Sequence, residues 1–140
     1  MAWNTGNVGR TALALDAELH LVGKLGFELD DKRVRRAGLD YWEHVRVRRW
    51  DDFAQLEAAG LGQVYLFSAR ADRTYWDAKY EDPCVLVFGR ESVGLGDLLR
   101  GRESDTFSIP QTDEHVRSLN LSTAVAVVGY EATRQHRSRV

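Results

Sequence analysis

Residues 85–88, Val-Leu-Val-Phe, form an unbroken apolar run that Cys84 opens and Gly89 closes. Such a run reads as a central strand buried on both faces, and a parallel sheet with helices packed on each side supplies that burial. The rest of the chain fits the same plan. Helical stretches are expected over 4–16, opened by Asn4-Thr5-Gly6-Asn7, and over 30–37, where Asp30 or Asp31 caps the start and Gly38 stops the end. Others are expected over 50–59, with Phe53 and Leu56 on one face and Gly60 after it, over 95–99, and over 119–135. Strands are expected over 18–22, 45–48, 64–67, 85–88 and 106–109, with Val45-Arg46-Val47-Arg48 alternating as a half-exposed strand does. There is no internal repeat, low-complexity tract or linker. The expectation is one α/β domain over 1–140 with a mostly parallel sheet and flanking helices.

An apolar fraction of 44% and a charged fraction of 29% suit a globular chain with a core of its own. No apolar run approaches the roughly 20 residues that span a bilayer, and no signal peptide is visible at the start. The single cysteine, Cys84, cannot form an internal disulfide and reads as a small buried hydrophobe in a reducing, cytoplasmic setting. The net charge of −2 gives no global sign of nucleic-acid binding, but the distribution of charge is uneven. Of 19 basic residues, seven fall between 32 and 50: Lys32, Arg33, Arg35, Arg36, Arg46, Arg48 and Arg49, opposed there only by Asp40 and Glu43. A local basic patch docks phosphates even on a mildly acidic protein, and a solvated face is the other reading. Trp42 and Trp50 in the same stretch suit either core packing or stacking on an unpaired base.

Two loops stand where ligands collect in open α/β sheets, beyond the carboxyl ends of strands. Gly89-Arg90-Glu91-Ser92-Val93-Gly94-Leu95-Gly96 follows the 85–88 run, and its glycines permit close backbone approach to a ligand. It is neither a P-loop nor the G-x-G-x-x-G fingerprint. The second loop, Ile109 to Asn120, follows 106–109 and should lie beside the first if their strands are neighbours. It sets Arg117, Ser118, Asn120 and Ser122 against an apolar, small-residue helix, where buried polar groups need partners from a ligand or a second chain. His20, His44, His115 and His136 show no metal-ligand spacing, and there is no Gly-x-Ser-x-Gly elbow. Metalloenzyme and hydrolase readings therefore gain no support.

Three segments occur in an order that resembles the SPOUT methyltransferases, the knotted S-adenosylmethionine enzymes that methylate RNA. Asn4-Thr5-Gly6-Asn7-Val8-Gly9-Arg10 is similar to that family's first motif, Phe88-Gly89-Arg90-Glu91-Ser92-Val93-Gly94-Leu95 to its second, and residues 109–131 to its third. Between them, Asp30-Asp31-Lys32-Arg33-Val34-Arg35-Arg36-Ala37-Gly38-Leu39-Asp40-Tyr41 resembles a stretch of the TrmL-like branch, the tRNA (cytidine/uridine-34-2′-O)-methyltransferases. The resemblance covers nearly the whole chain. It implies a C-terminal trefoil knot, an exception to unknotted topology. It also implies S-adenosyl-L-methionine as cofactor, the tRNA anticodon stem-loop as substrate, a homodimer, and neither metal nor membrane.

By the same resemblance, backbone groups around Phe67, Gly89, Ile109 and Ser118 surround the cofactor, with Glu91, Gly94 and Leu119 in the same loops. Arg10 matches the first-motif arginine, placed near the target ribose 2′-hydroxyl. A guanidinium, whose pKa exceeds about 12, suits stabilising a developing alkoxide or an adjacent phosphate better than taking a proton. Asn120 and Ser122 match the N-L-S triplet that shapes the methyl-transfer pocket. Asn4, Asn7, Lys32, Arg33, Arg35, Arg36 and Arg117 would face the RNA. The chain departs from the pattern where only Met1-Ala2-Trp3 precede the first motif, so the first strand is expected to be missing and an edge left unpaired. Gly96 stands for a usual proline and Gln111 for a common methionine. An inactive RNA-binding or dimerisation module of the same fold, or a methyltransferase for another RNA site, are the alternative readings.

Overall fold

The computed structural model describes residues 2–23, 40–90 and 94–138. The chain divides into two compact units, Met1–Gly60 and Leu61–Val140, each with its own sheet. Every strand pairing in both sheets is parallel. The expected helix 30–37 lies outside the described residues.

The first unit opens with helix α1, Ala2–Ala14, which takes in the whole Asn4–Arg10 segment. It ends where Asp16 adopts a positive φ of 55°. The Ala17 N–H then reaches the Ala12 carbonyl at 2.8 Å and the Asp16 N–H reaches the Leu13 carbonyl at 3.2 Å, pairing two carbonyls that a helix end leaves open. Strand β1, Leu19–Val22, pairs with β2, Val47–Trp50, with Leu19 opposite Val47 and Val22 opposite Trp50. β2 lies two residues beyond the alternating stretch because Trp50 belongs to the ladder: its indole N–H donates to His20 Nδ1 at 2.9 Å. Helix α2, Phe53–Ala58, consequently starts later than residue 50, capped by the Asp52 carboxylate accepting the Gln55 N–H at 2.9 Å. Ala12, Leu19 and Leu56 are buried.

In the second unit the strands are β3, Gln63–Phe67, β4, Cys84–Phe88, and β5, Thr106–Phe107, in the order β4-β3-β5. The middle strand is β3 and not the apolar run of β4. Tyr65, Leu66 and Phe67 are buried, whereas every residue of β4 is half-buried. The reason is ladder position: among the described residues β3 has a partner on both edges and β4 on one. β5 is shorter than 106–109 because Ser108 turns to bridge Thr74. Its N–H donates to the Arg73 carbonyl at 2.8 Å and its carbonyl accepts the Tyr75 N–H at 2.8 Å.

Helix α3, Leu121–Ser138, packs on β4 with Val128 and Ala132 buried one turn apart. Full burial of Leu66 and Val128 contributes about 1.5–3 kcal/mol each. Gln135, on the same helix, pins the 78–80 segment: its Oε1 accepts the Tyr80 N–H and its Nε2 donates to the Ala78 carbonyl, both at 2.9 Å. The expected helix at 95–99 is a 3-10 turn, Gly96–Leu99. Among the described residues no helix is long and apolar enough to cross a membrane.

Candidate active site

The three strands of the second unit end at one level. Phe67 stands opposite Phe88 on one side and Phe107 on the other, with ring centroids 4.9 and 6.4 Å away. Ser68, Gly89 and Ser108 leave this row together, so the sheet brings Phe67, Gly89 and Ile109 to a common carboxyl edge. The strands that carry the loops after β4 and β5 are not immediate neighbours, however: β3 stands between them.

Gly89 is required by its surroundings. A Cβ there would collide with the backbone of Gly94 and stand 2.6 Å from Gly94 Cα. The Gly94 N–H donates to the Arg90 carbonyl at 2.8 Å, closing the turn, and Gly94 itself has φ of 63°. Glu91 lies outside the described residues. Beyond β5 an open depression of about 490 Å³ is lined by Ala69 and by residues 108–111, 112–114, 116 and 117. Ile109, Pro110 and Val116 give it apolar wall, and Asp113, Glu114 and Arg117 give it charge. The Asp113 carboxylate accepts the His115 backbone N–H and pairs with its ring Nδ1, both at 2.8 Å, which holds the acid below its ordinary range.

Gln111 Oε1 in the same wall is buried and has no hydrogen-bond partner among the described residues. A buried acceptor left unpaired costs about 1–3 kcal/mol. An edge where the backbone admits no Cβ, an apolar wall and an unpaired acceptor fit a ligand with an aromatic base and polar groups, as S-adenosylmethionine has.

The polar junction before α3 is solvent-facing. Arg117, Ser118 and Asn120 are exposed, while Leu119 and Ser122 are half-buried. Asn120 and Ser122 satisfy each other, Asn120 Oδ1 accepting the Ser122 N–H at 3.0 Å and its hydroxyl at 2.6 Å. Asn120 is thus the N-cap of α3, which is why the helix begins at Leu121 rather than 119. Burial of this junction requires a ligand or a second chain over it.

Arg10 and Asn7, both exposed, belong to the first unit, where Asn4 also lies in α1. The Arg10 guanidinium stands over the Tyr41 ring, 5.6 Å from its centroid. Tyr41 is in the 3-10 helix Asp40–His44, and its hydroxyl donates to the Gly6 carbonyl at 3.1 Å. Burial raises the Tyr41 phenol above its ordinary value, opposed by the Arg10 cation and reinforced by Asp40. Trp42 lies so close to Gly9 that a Cβ there would overlap its ring. Sequence reasoning gave Tyr41 no role. The signal was its place at the end of the 30–41 stretch.

Lys32, Arg33, Arg35 and Arg36 lie outside the described residues. Arg46 is engaged with Asp16 at 3.0 Å, and Arg48 lies 4.8 Å from the Trp50 ring centroid. Trp42 and Trp50 are half-buried, Trp42 against Gly9 and Trp50 stacked on His20. Burial lowers the His20 pKa, with Arg48 acting the same way and Glu18 opposing. Cys84 is half-buried against the core, and burial pushes its thiol up to about 11. Among the described residues no group of His, Cys, Asp or Glu could hold a metal ion.

Residues 1–130 match the SpoU rRNA Methylase family. The chain belongs to that family. Within it, a Listeria innocua protein bearing the provisional name tRNA (cytidine(34)-2′-O)-methyltransferase is 44% identical, over 94% of this chain and 80% of its own length. A solved structure described as structural insights into the 2-OH methylation of C/U34 on tRNA is 46% identical, with a TM-score of 0.88 over 99% of this chain and 91% of that chain. The SpoU methyltransferase AviRb from Streptomyces viridochromogenes, solved in complex with the cofactor AdoMet, is 28% identical, with a TM-score of 0.79 over 96% of this chain and 56% of that one. The parallel α/β architecture of this SpoU family member is that of the SPOUT methyltransferase structures.

Proposed function

We propose that this chain is an S-adenosylmethionine-dependent tRNA 2′-O-methyltransferase that modifies the ribose of the wobble nucleotide. The observation that carries the reading is the row Phe88, Phe67 and Phe107, from which the cofactor-loop candidates leave one edge of the sheet. It occurs in a chain 46% identical to the protein whose structure concerns C/U34 methylation. The proposal extends to one methyltransferase domain over 1–140 with a C-terminal knot, working in the cytoplasm as a homodimer on the anticodon stem-loop.

S-adenosylmethionine, when bound, supplies an electrophilic methyl group on a sulfonium. The chain's part is then positioning and charge. Backbone groups at Phe67, Gly89 and Ile109, with Glu91, Gly94, Ser118 and Leu119, hold the cofactor. Arg10 binds the 2′-oxygen or the neighbouring phosphate and stabilises negative charge as the hydroxyl passes its proton to solvent water. Asn120 and Ser122 shape the pocket. Asn4, Asn7, Lys32, Arg33, Arg35, Arg36 and Arg117 bind RNA. Fixing two reactants in line can itself contribute several kcal/mol.

The test is calorimetric titration with S-adenosylhomocysteine, with solution mass measured alongside, followed by transfer of a tritiated methyl group to tRNA. Saturable binding by a dimer and label at position 34 are expected. Binding without transfer would favour the inactive RNA-binding module instead. Arg10→Ala should abolish transfer with little loss of cofactor affinity, and unchanged turnover removes Arg10 from the mechanism.

A further inference from the structure

We propose that Tyr41 is a positioning residue for Arg10, holding its guanidinium by the face so that its N–H edge stays available to the substrate. This rests on the role given to Arg10 above. Arg10 is exposed, and a long exposed arginine loses up to about 2 kcal/mol of rotamer freedom when fixed for catalysis. A carboxylate could fix it, but would occupy the same donors that must reach ribose or phosphate. Among the described residues no carboxylate forms an ion pair with Arg10. What stands beside it is an aromatic face, with the guanidinium carbon 5.6 Å from the Tyr41 centroid.

The placement follows from helix geometry. Side chains on a helix lean toward its N-terminus, so Arg10 leans over the turn that contains Gly6. Gly6 has no side chain to occupy that space, and the Tyr41 hydroxyl is anchored on the Gly6 carbonyl at 3.1 Å. One turn on, the ring of Trp42 fills the space that a side chain at Gly9 would need. The 3-10 helix Asp40–His44 therefore grips α1 at positions 6, 9 and 10, which share one helix face. The chemistry of the first motif is in this way tied to the end of the 30–41 stretch.

The experiment compares the full chain carrying Tyr41→Leu, Tyr41→Phe and Arg10→Ala. kcat and KM for methyl transfer to an anticodon stem-loop transcript are measured, with S-adenosylhomocysteine affinity and thermal stability as separate readouts. Leucine keeps apolar bulk and removes the π face; phenylalanine keeps the face and removes the hydroxyl. Tyr41→Leu should lower kcat about tenfold, within the about 3- to 30-fold a cation–π contact carries, with cofactor affinity unchanged. Tyr41→Phe should recover kcat to within about threefold of wild type. Full kcat in Tyr41→Leu beside an inactive Arg10→Ala overturns the positioning role alone. Equal losses in the Leu and Phe variants, tracking lost thermal stability, reduce Tyr41 to packing. Normal turnover in Arg10→Ala removes the role of Arg10 and this proposal with it.

Discussion

Gly89→Ala perturbs the candidate site at the point where the backbone has least room. The new Cβ would overlap the Gly94 carbonyl carbon and stand 2.6 Å from Gly94 Cα, and ordinary contact begins near 3.4 Å, so the backbone at Gly94 must retreat by more than about 0.8 Å. Nothing flexible can absorb this, because the opposing atoms are main chain and the turn is closed by the 2.8 Å bond from the Gly94 N–H to the Arg90 carbonyl. Overpacking of this kind costs about 1–3 kcal/mol. At about 1.4 kcal/mol per tenfold, a retreat into the cofactor's place should weaken S-adenosylhomocysteine binding by roughly 5- to 140-fold. The thermal midpoint should fall by roughly 3–5 °C for each kcal/mol felt by the fold.

Gly60→Ala is the control. Gly60 has φ of 63° but open space around a Cβ, so it isolates backbone strain in the other unit. It should lower the midpoint and leave affinity alone. Calorimetric titration of both variants decides the matter: a Gly89→Ala chain that binds within twofold of wild type refutes the claim that this turn borders the cofactor.

The Cys84 thiol, raised to about 11 by burial, should react slowly with a disulfide reagent at pH 8 and quickly in denaturant. Fast labelling of the native chain would show that the strand opens. His20 has a lowered pKa, so the stability it contributes is full above its unfolded value near 6.5 and declines as acid protonates it. Protonation at Nδ1 breaks the bond from Trp50, so the thermal midpoint of wild type should fall between pH 7 and 5.5 more than that of His20→Gln, and equal slopes count against it. Arg33→Glu with Arg36→Glu should weaken tRNA binding and flatten its salt dependence without touching cofactor affinity. Unchanged tRNA affinity at low salt would make that cluster a solvated face.

Much of the candidate site was legible because its signals are local. Glycine at 89 and 94, the apolar run before them and the Ile109-Pro110 stop are punctuation that a strand-end loop needs within a few residues. The same holds for the order of strands and helices, where boundaries moved by about two residues. They moved where a side chain found a distant partner, as Trp50 did with His20, or a local cap, as Asn120 did with Ser122. That Arg117, Ser118 and Asn120 face solvent in the chain by itself was not legible, because sequence shows which groups are polar and not what covers them.

The sequence by itself determined the α/β alternation, the family and the candidate loops at the strand ends, since period, caps and glycines act over one or two turns. Tertiary structure decided which strand is central. All five residues of β4 are apolar against four of five in β3, yet β3 is the more buried, and ladder partners on both edges distinguish the buried middle from the flank. It also decided what holds Arg10. The Tyr41 hydroxyl and the Gly6 carbonyl are 35 residues apart in the chain, and no local periodicity encodes a contact that closes only when the 3-10 helix folds onto α1.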